Sequence, residues 1–271
     1  MADRARRQGR DVLALTSSQW DITDASAAEH FVAAGDVVIN CAAYTNVDAA
    51  ETDQERAHAV NAVGPGNVAS ACARAGADLI HISTDYVFSG VFDRGGPHPY
   101  DIDDETGPTS FYGRTKLAGE LAVLAAKADA HVVRTAWVYE GADGGDFAAT
   151  MRRLAAGEGP VDVVADQIGS PTYVGDLVDA LLQVADGAIS APVLHAANEG
   201  EASRFEQAQA VFEAVGADPH RVRPVGSDRF PRPAPRPAYS ALSGRRSAAA
   251  GLTPLRPWRD ALVSALTGDV R

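Results

Sequence analysis

Gly35-Asp-Val-Val-Ile-Asn40 is the stretch that decides the fold. Its apolar part, Val37 to Ile39, is continuous and β-branched, which is typical of a strand covered on both faces. Such strands belong to parallel sheets, because helices cover both faces of those sheets. The segment therefore predicts a fully buried strand, and the turn that begins at Cys41 lies at its carboxyl end.

Strands and helical stretches alternate on either side of this segment. Sequential alternation predicts right-handed βαβ units around a parallel sheet, which is a Rossmann-type, doubly wound α/β fold. Shorter mixed elements begin after residue 145, so we predict a domain change there. The predicted strands are 11–15, 35–40, 77–83, 131–137, 161–164, 193–197 and 222–225. Near the start we predict the end of a helix before Gly9 and a short helix capped by Thr23 or Asp24. The other predicted helices are 47–75, with a break near Gly64-Pro65, one that opens at Tyr112, 146–156, 174–185, 203–215 and 258–266.

Composition narrows the classes of function. The chain has 271 residues, 46% of them apolar and 22% charged, which is ordinary for a globular protein. A net charge of −12 argues against nucleic acid or an anionic membrane as the main partner. Cys41 and Cys72 lie in apolar or alanine-rich runs without metal-ligand spacing, so we expect two buried thiols, no metal site and a cytoplasmic location. No run reaches the roughly 18 apolar residues of a membrane span.

One edge of the predicted sheet collects the polar residues that could bind a ligand. Ligands of open parallel sheets bind outside the carboxyl ends of the strands. That rule selects the segments that end or follow strands, and the helix that opens at Tyr112 arrives at the same edge. The selected residues are Thr16 to Ser18, Ala42 to Thr45, Thr84 to Tyr86 and Trp137.

Tyr112-Gly-Arg-Thr-Lys116 carries the candidate chemistry. On a helix Tyr112 and Lys116 lie one turn apart on one face, so a phenol and an ammonium address the same volume. Protonating a carbonyl oxygen leaves a phenolate, whose reference pKa near ~10 costs about 4 kcal/mol at neutral pH. One cation about 4 Å away offers about that much at an effective dielectric near ~20. We therefore expect Lys116 to lower the pKa of Tyr112 and make it a proton donor.

Several motifs together resemble one enzyme family. The similarity covers essentially the whole chain from Gly9 onward, and as a set the motifs are much more specific than any one of them. The sequence resembles dTDP-4-dehydrorhamnose reductases of the extended short-chain dehydrogenase/reductase superfamily. The motifs are Val38-Ile-Asn-Cys-Ala-Ala-Tyr-Thr-Asn-Val-Asp48, Ser83-Thr-Asp-Tyr-Val-Phe88, Tyr112-Gly-Arg-Thr-Lys116, Arg134-Thr-Ala-Trp-Val-Tyr139 and Asp166-Gln-Ile-Gly-Ser-Pro-Thr172.

The resemblance implies a fold, a reaction and roles for residues. It implies a dinucleotide-binding domain over 1–145 and mainly a substrate-binding domain over 146–271, with an interleaved boundary. The implied reaction is NAD(P)H-dependent reduction of a dTDP-linked 4-keto sugar in dTDP-rhamnose synthesis, a precursor route for cell-wall polysaccharide. Tyr112 would donate the proton, Lys116 would hold the nicotinamide ribose and Thr84 would bind the carbonyl. Asp85, Tyr86 and Trp137 would contact the sugar nucleotide, and Thr16, Asp21, Ile22, Ala43, Tyr44, Thr45 and Ile82 would line the cofactor.

Some of these residues also have simple structural explanations. Asp21 is equally typical of an Asx turn, and Asp176 of a helix start. Arg232 and Arg236 have the fork geometry that binds diphosphate, but a solvated loop explains them as well, so neither belongs to the predicted site. The segment Thr16 to Ser18 offers hydroxyls and no carboxylate, so we expect NADPH to be accepted, with NADH as an alternative. The sequence leaves a homodimer open.

The pattern departs from the family at its start. No G-x-x-G-x-x-G precedes Gly35, and the family's first strand and glycine-rich turn are missing. Either the natural chain begins further upstream, which we favour because the later motifs are intact, or it is a shortened chain that binds dinucleotide poorly. One alternative function is a sugar-nucleotide dehydratase or epimerase, which is disfavoured because Tyr86 follows Asp85 where a dehydratase needs Glu. A second alternative is a non-catalytic regulatory subunit, which the retained Thr84, Tyr112 and Lys116 disfavour.

Overall fold

The structure is a computed structural model that describes residues 1–92, 96–141 and 144–268. The strands are β1 (Val37–Asn40), β2 (Asp78–Thr84), β3 (His131–Thr135), β4 (Val138–Tyr139), β5 (Val161–Val164), β6 (Ile168–Gly169), β7 (Thr172–Tyr173), β8 (Val193–His195), β9 (Ala202–Ser203) and β10 (Val222–Val225). The α-helices are α1 (Ala2–Arg7), α2 (Gln54–His58), α3 (Gly64–Ala75), α4 (Phe111–Ala126), α5 (Phe147–Ala155), α6 (Val174–Ala185), α7 (Arg204–Ala214), α8 (Arg245–Ala249) and α9 (Trp258–Thr267).

A parallel sheet with strand order β1-β2-β3-β8 forms the centre of the fold. On one face Val68 and Cys72 of α3 and Val123 of α4 pack against it. On the other face Leu177 and Leu181 of α6 do the same. Helices on both faces confirm the predicted doubly wound α/β architecture.

A second apolar cluster lies outside the central sheet. It joins α5, α7 and α9 around Phe212 and Leu262. Beside them β10 pairs in parallel with β5, from Val222 opposite Val161 to Val225 opposite Val164. The separate cluster supports a smaller second unit, while the predicted boundary near residue 145 stays a prediction.

The free edge of the sheet differs from the sequence prediction. Residues 11–15 form no strand, and Leu13 is 72% exposed. The strand β1 is also not fully buried, because Val37 is 41% exposed. A strand is stabilised by its neighbours' hydrogen bonds, and among the described residues no strand pairs with the outer edge of β1. The continuous β-branched run of β1 was therefore sufficient to predict a strand, whereas the apolar run at residues 11–15, with Val12 as its only β-branched residue, was not.

The predicted helix break near Gly64-Pro65 is also wrong. A π-turn, Ala59–Val63, links α2 to α3 without interruption. Proline lacks an N–H and clashes with the carbonyl four residues earlier, and a wider turn just before it relieves both problems. A Cβ atom on Gly64 would lie 2.6 Å from Ile22 Cδ1, so a larger residue there would require the Ile22 side chain to move.

Smaller differences concern turns and exposure. The short helix after Thr23 is a 3₁₀ turn, Ala27–His30, without a side-chain cap. Trp137 lies beyond the end of β3, with φ at +47°. Cys41 is exposed, so the prediction of two buried thiols holds only for Cys72. The helix α8 was not predicted. Within the described ranges, no helix has the length and apolarity needed to cross a membrane.

Candidate active site

The start of α4 is fixed against the end of β2. Ser110 caps the helix by accepting a hydrogen bond from the Gly113 N–H at 3.1 Å. A Cβ atom on Gly113 would lie 2.3 Å from the Tyr86 carbonyl oxygen, so only glycine permits this approach. The ring of Tyr112 meets the ring of Tyr86 edge to face, with centroids 5.8 Å apart. The helix therefore delivers Tyr112 to the carboxyl end of β2, as the sequence pattern predicts.

Tyr112 and Thr84 meet at this edge. The Thr84 hydroxyl lies beside the Tyr112 phenol, and its influence lowers the pKa of that phenol. Thr84 Oγ1 also donates to Asp85 Oδ1 at 3.0 Å and accepts from the Tyr86 N–H at 3.2 Å. Burial raises the pKa of Tyr112, and the Thr84 hydroxyl opposes that rise. The phenol is thus a weaker acid here than in water.

Lys116 lies one turn further along α4 and is buried. Its Nζ donates to the Ile82 carbonyl at 2.7 Å and lies 3.5 Å from His81 Nε2. Burial lowers the pKa of Lys116 to about 8, and the carboxylate of Glu120 partly opposes this. His81 is held neutral because burial, followed by the charge of Lys116, lowers its pKa well below the usual value. An ammonium has three hydrogens, so one remains for a ligand.

The expectation that Lys116 lowers the pKa of Tyr112 is wrong for this structure. Desolvation is the largest influence on the phenol, and the neighbouring Asp85 and Tyr86 raise its pKa further. The sequence argument counted the attraction of a cation and left out the cost of burying a phenolate. The lowering effect in the structure comes from the Thr84 hydroxyl.

Asp85 faces into the protein. Its Oδ1 accepts the Thr84 hydroxyl, and its Oδ2 accepts the Ser240 hydroxyl at 2.6 Å. The residue is only 3% exposed, and burial raises its pKa to about 6. Its predicted contact with the sugar nucleotide stays a prediction, while its visible role is to hold Thr84. Ser240 was missed, because nothing in its surrounding sequence marks a functional hydroxyl.

Trp137 stands beside an arginine that the sequence did not reveal. The guanidinium of Arg204, at the start of α7, lies 3.5 Å from the Trp137 ring centroid and 4.9 Å from that of Phe147. A Cβ atom on Gly169 would lie 2.5 Å from Cε2 of the Trp137 ring, so the ring packs directly against this glycine. Burial lowers the pKa of Arg204 to about 10, while nearby Tyr86 and Asp85 oppose the shift. A positive charge therefore lies close to the predicted sugar site.

The turn after β1 is shaped by Asn61 of the π-turn. Asn61 Oδ1 accepts from the Tyr44 N–H at 2.8 Å, and its Nδ2 donates to the Tyr44 carbonyl at 3.1 Å. The same amide donates to Thr115 Oγ1 of α4 at 3.1 Å. The Ala43 to Thr45 turn is therefore tied to the helix that carries Tyr112 and Lys116. With its remaining N–H, Lys116 fits a ribose hydroxyl at this place.

The structure shows local contacts for three of the residues predicted to line the cofactor, Thr16, Asp21 and Ile22. Thr16 is exposed and donates to Gln19 Oε1 at 2.9 Å. Asp21 forms an Asx turn, accepting from the Thr23 N–H at 2.9 Å, and these bonds lower its pKa. Ile22 is 7% exposed and packs in the core. No contact in the described structure links these residues to the Tyr112 site.

The charged residues that the sequence left aside are paired. Asp48 accepts from Arg236 at 2.7 Å and lies 3.7 Å from Arg232, which anchors the proline-rich loop. Asp176 pairs with both Arg256 Nε and Nη2 at 2.9 Å, in addition to lying in the first turn of α6. Among the described residues no group of three or more His, Cys, Asp or Glu side chains could hold a metal ion.

Comparison with known proteins identifies relatives along the whole chain. The RmlD substrate binding domain family matches residues 1–270. The dTDP-4-dehydrorhamnose reductase of Mycolicibacterium smegmatis is 70% identical over 270 residues, which covers 100% of this chain and 82% of that protein.

Two solved structures share the fold. A dTDP-4-dehydrorhamnose reductase from Clostridium acetobutylicum superposes with a TM-score of 0.89 at 35% identity, covering 97% of this chain and 92% of the other. The enzyme of that name from Bacillus anthracis, solved in complex with NADP, has a TM-score of 0.86 at 36% identity, covering 94% and 89%.

Proposed function

The chain belongs to the RmlD family, and from that premise we propose that it reduces dTDP-4-dehydro-L-rhamnose to dTDP-L-rhamnose with NADPH as the reductant. The observation that carries the proposal is that two groups of α4 address the carboxyl end of β2: Tyr112 lies beside Thr84, and Lys116, one turn further along the helix, donates to the Ile82 carbonyl. A proton donor, a hydroxyl and an ammonium in one place match the reduction of a ketone.

Tyr112 is the proton donor of the reaction. NADPH supplies the hydride that reduces the C4 carbon. The Tyr112 phenol gives its proton to the C4 oxygen, and solvent later restores that proton. Because burial raises the pKa of Tyr112, the phenol holds its proton until negative charge develops on the substrate oxygen. The Thr84 hydroxyl lies beside Tyr112, so it can bond either the Tyr112 phenolate or the C4 carbonyl oxygen of the substrate.

Lys116 holds the nicotinamide ribose. Its bond to the Ile82 carbonyl fixes the ammonium, with His81 Nε2 3.5 Å away, and a further N–H would hold a ribose hydroxyl of the bound cofactor. The Ala43 to Thr45 turn, braced by Asn61, lines the same cofactor end. The charge of Lys116 also stabilises the developing phenolate once the ribose connects the two groups.

Tyr86 and Trp137 contact the sugar nucleotide in this proposal. Both aromatic side chains are partly exposed; Tyr86 lies against Tyr112, and Arg204 adds positive charge next to Trp137. A dTDP sugar carries negative phosphates, so this charge is complementary to it.

The cytoplasmic location, the homodimer and the domain boundary near residue 145 remain predictions that accompany the proposal. Both cysteines are free thiols, which is consistent with a reducing compartment.

The test compares two tyrosine variants. NADPH oxidation with dTDP-4-dehydro-L-rhamnose is measured for the natural chain, Tyr112→Phe and Tyr139→Phe. Tyr139 is a matched control, because its buried hydroxyl has no hydrogen-bond partner in the described structure and it lies in the second apolar cluster. Tyr112→Phe should lower kcat at least ~100-fold, in the range of a lost general acid. Full activity in Tyr112→Phe, or no turnover by the natural chain, would contradict the proposal.

A further inference from the structure

Ser240 links the C-terminal part of the chain to the catalytic edge. Its N–H donates to the Ile168 carbonyl at 2.8 Å, and the next residue accepts from the Tyr100 N–H at 2.8 Å. These bonds fix the backbone on both sides. The side chain is 1% exposed, and its hydroxyl donates to Asp85 Oδ2 at 2.6 Å. A rigid segment therefore presents one hydroxyl to one buried carboxylate.

The carboxylate in turn decides where the hydrogen of Thr84 points. A hydroxyl has a single hydrogen, and that of Thr84 is directed to Asp85 Oδ1 at 3.0 Å. While Asp85 is ionised it holds the Thr84 hydrogen, so Thr84 cannot give its full hydrogen bond to the Tyr112 oxygen. When Asp85 carries a proton, it can donate to Thr84, and the Thr84 hydrogen becomes free to bond the phenol oxygen of Tyr112.

We propose that Ser240 and Asp85 are positioning residues for the reduction, which together set the direction of the Thr84 hydrogen and so decide whether Tyr112 receives a hydrogen bond as it loses its proton. This inference rests on the proposed function. It assigns Ser240 a role that no sequence motif indicates, and it assigns Asp85 a role that requires no contact with the substrate.

The surroundings of Asp85 place this switch in a useful pH range. The groups that face the carboxylate are the hydroxyls of Thr84 and Ser240, the phenols of Tyr86 and Tyr112, and the guanidinium of Arg204 on α7. Burial raises the pKa of Asp85 to about 6, and the bonds from Ser240 and Thr84 and the charge of Arg204 oppose that rise. Loss of the Ser240 bond should therefore raise the pKa further.

The experiment is the pH profile of kcat and KM for the full chain between about pH 5 and 9. In the natural protein kcat should fall as the pH rises through the Asp85 pKa, because ionised Asp85 withdraws the hydrogen from Thr84. Ser240→Ala should move that midpoint upward by about one pH unit, which is the size of a lost hydrogen bond to a charged group. Asp85→Asn should remove the midpoint, because an amide does not titrate, and KM should change less than about twofold in both variants.

Two further variants separate this role from a general structural one. Ser247→Ala also removes a buried serine, whose oxygen accepts from the His195 N–H at 2.7 Å, and should leave the midpoint unchanged. In a Thr84→Val background, adding Ser240→Ala should not alter the pH profile of the residual activity, because Ser240 acts through Thr84.

The possible results are distinguishable. An unmoved midpoint in folded Ser240→Ala, or a persisting midpoint in Asp85→Asn, overturns the inference while the reductase function stands. If Ser240→Ala does not fold, the nearly isosteric Asp85→Asn decides alone. Absence of turnover in the natural chain overturns the proposed function and this inference with it.

Discussion

Replacing Lys116 by methionine should abolish activity and yet stabilise the fold. The ammonium is 2% exposed, and burial lowers its pKa from 10.5 to about 8. At neutral pH the unfolded chain therefore holds this proton more tightly than the folded chain does. The difference corresponds to about 3 kcal/mol of destabilisation by the charged side chain.

The net gain is smaller than that. Methionine cannot donate to the Ile82 carbonyl, and a buried carbonyl that loses its donor costs about 1–3 kcal/mol. We therefore expect Lys116→Met to raise the free energy of unfolding at pH 7 by about 1 kcal/mol. Activity should fall about 100-fold or more, as for the loss of a preorganised charged donor.

The pH dependence distinguishes this explanation from a general packing effect. In the natural chain the depressed pKa of Lys116 makes stability rise between about pH 8 and 10.5, because the folded state releases the proton first. The methionine variant lacks that rise, so its advantage at pH 7 should disappear by about pH 10. Urea unfolding at both pH values measures the difference.

Lys127 provides the matched control. It follows α4, is 8% exposed and pairs with Asp129 at 2.9 Å. Lys127→Met should change stability by less than about 1 kcal/mol and leave turnover unchanged. The reasoning fails if Lys116→Met is destabilised by more than about 2 kcal/mol at pH 7, or if its difference from the natural chain is the same at pH 7 and pH 10.

Two further predictions concern neighbouring residues. Gly119→Ala should destabilise the protein by about 2–4 kcal/mol in chemical unfolding, because the new Cβ would lie 2.1 Å from the Asn61 carbonyl oxygen and neither backbone can move freely. The matched control is Gly66→Ala, which should destabilise the protein less because the nearest atom to its new Cβ lies at 3.3 Å. Because the pKa of Asp85 is raised from 3.8 to about 6, the folded state keeps a proton that the unfolded state releases, so stability should fall by about 3 kcal/mol as the pH rises from about 4 to 6. Asp85→Asn should lose this slope, and an unchanged slope would refute the assignment.

The sequence predicted the sheet where neighbouring strands were also present. β-branched runs marked β1, β2 and β3, and their parallel order follows from the helices between them. Residues 11–15 are also mostly apolar but form no strand, because a strand is stabilised by pairing that its own sequence cannot supply. The π-turn before Gly64 was missed for a related reason, since it accommodates Pro65 through a geometry that simple helix rules exclude.

The candidate site was predictable along one edge only. Thr84 and Tyr112 could be placed together because strand ends and the following helix share that edge. Ser240 and Arg204 arrive from the C-terminal half, more than a hundred residues beyond Thr84 and Asp85 in the chain. Neither lies in a periodic or motif-like context that would indicate its destination. The position of Arg204 depends on how α7 packs in the second apolar cluster, and that of Ser240 on how Tyr239 and Ala241 pack with Phe88; local sequence patterns encode neither.

Two buried ionisable groups flank Tyr112 and work against stability. Lys116 has a depressed pKa and Asp85 a raised one, so each destabilises the folded state at neutral pH by about 3 kcal/mol. Whole domains are stable by only about 5–15 kcal/mol, so the combined cost is large. Apolar side chains at both positions would remove it. Lys116 lies one turn from Tyr112 on α4, and Asp85 acts on the same phenol, so a proton-transfer role for Tyr112, as proposed above, would account for retaining both buried charges despite this cost.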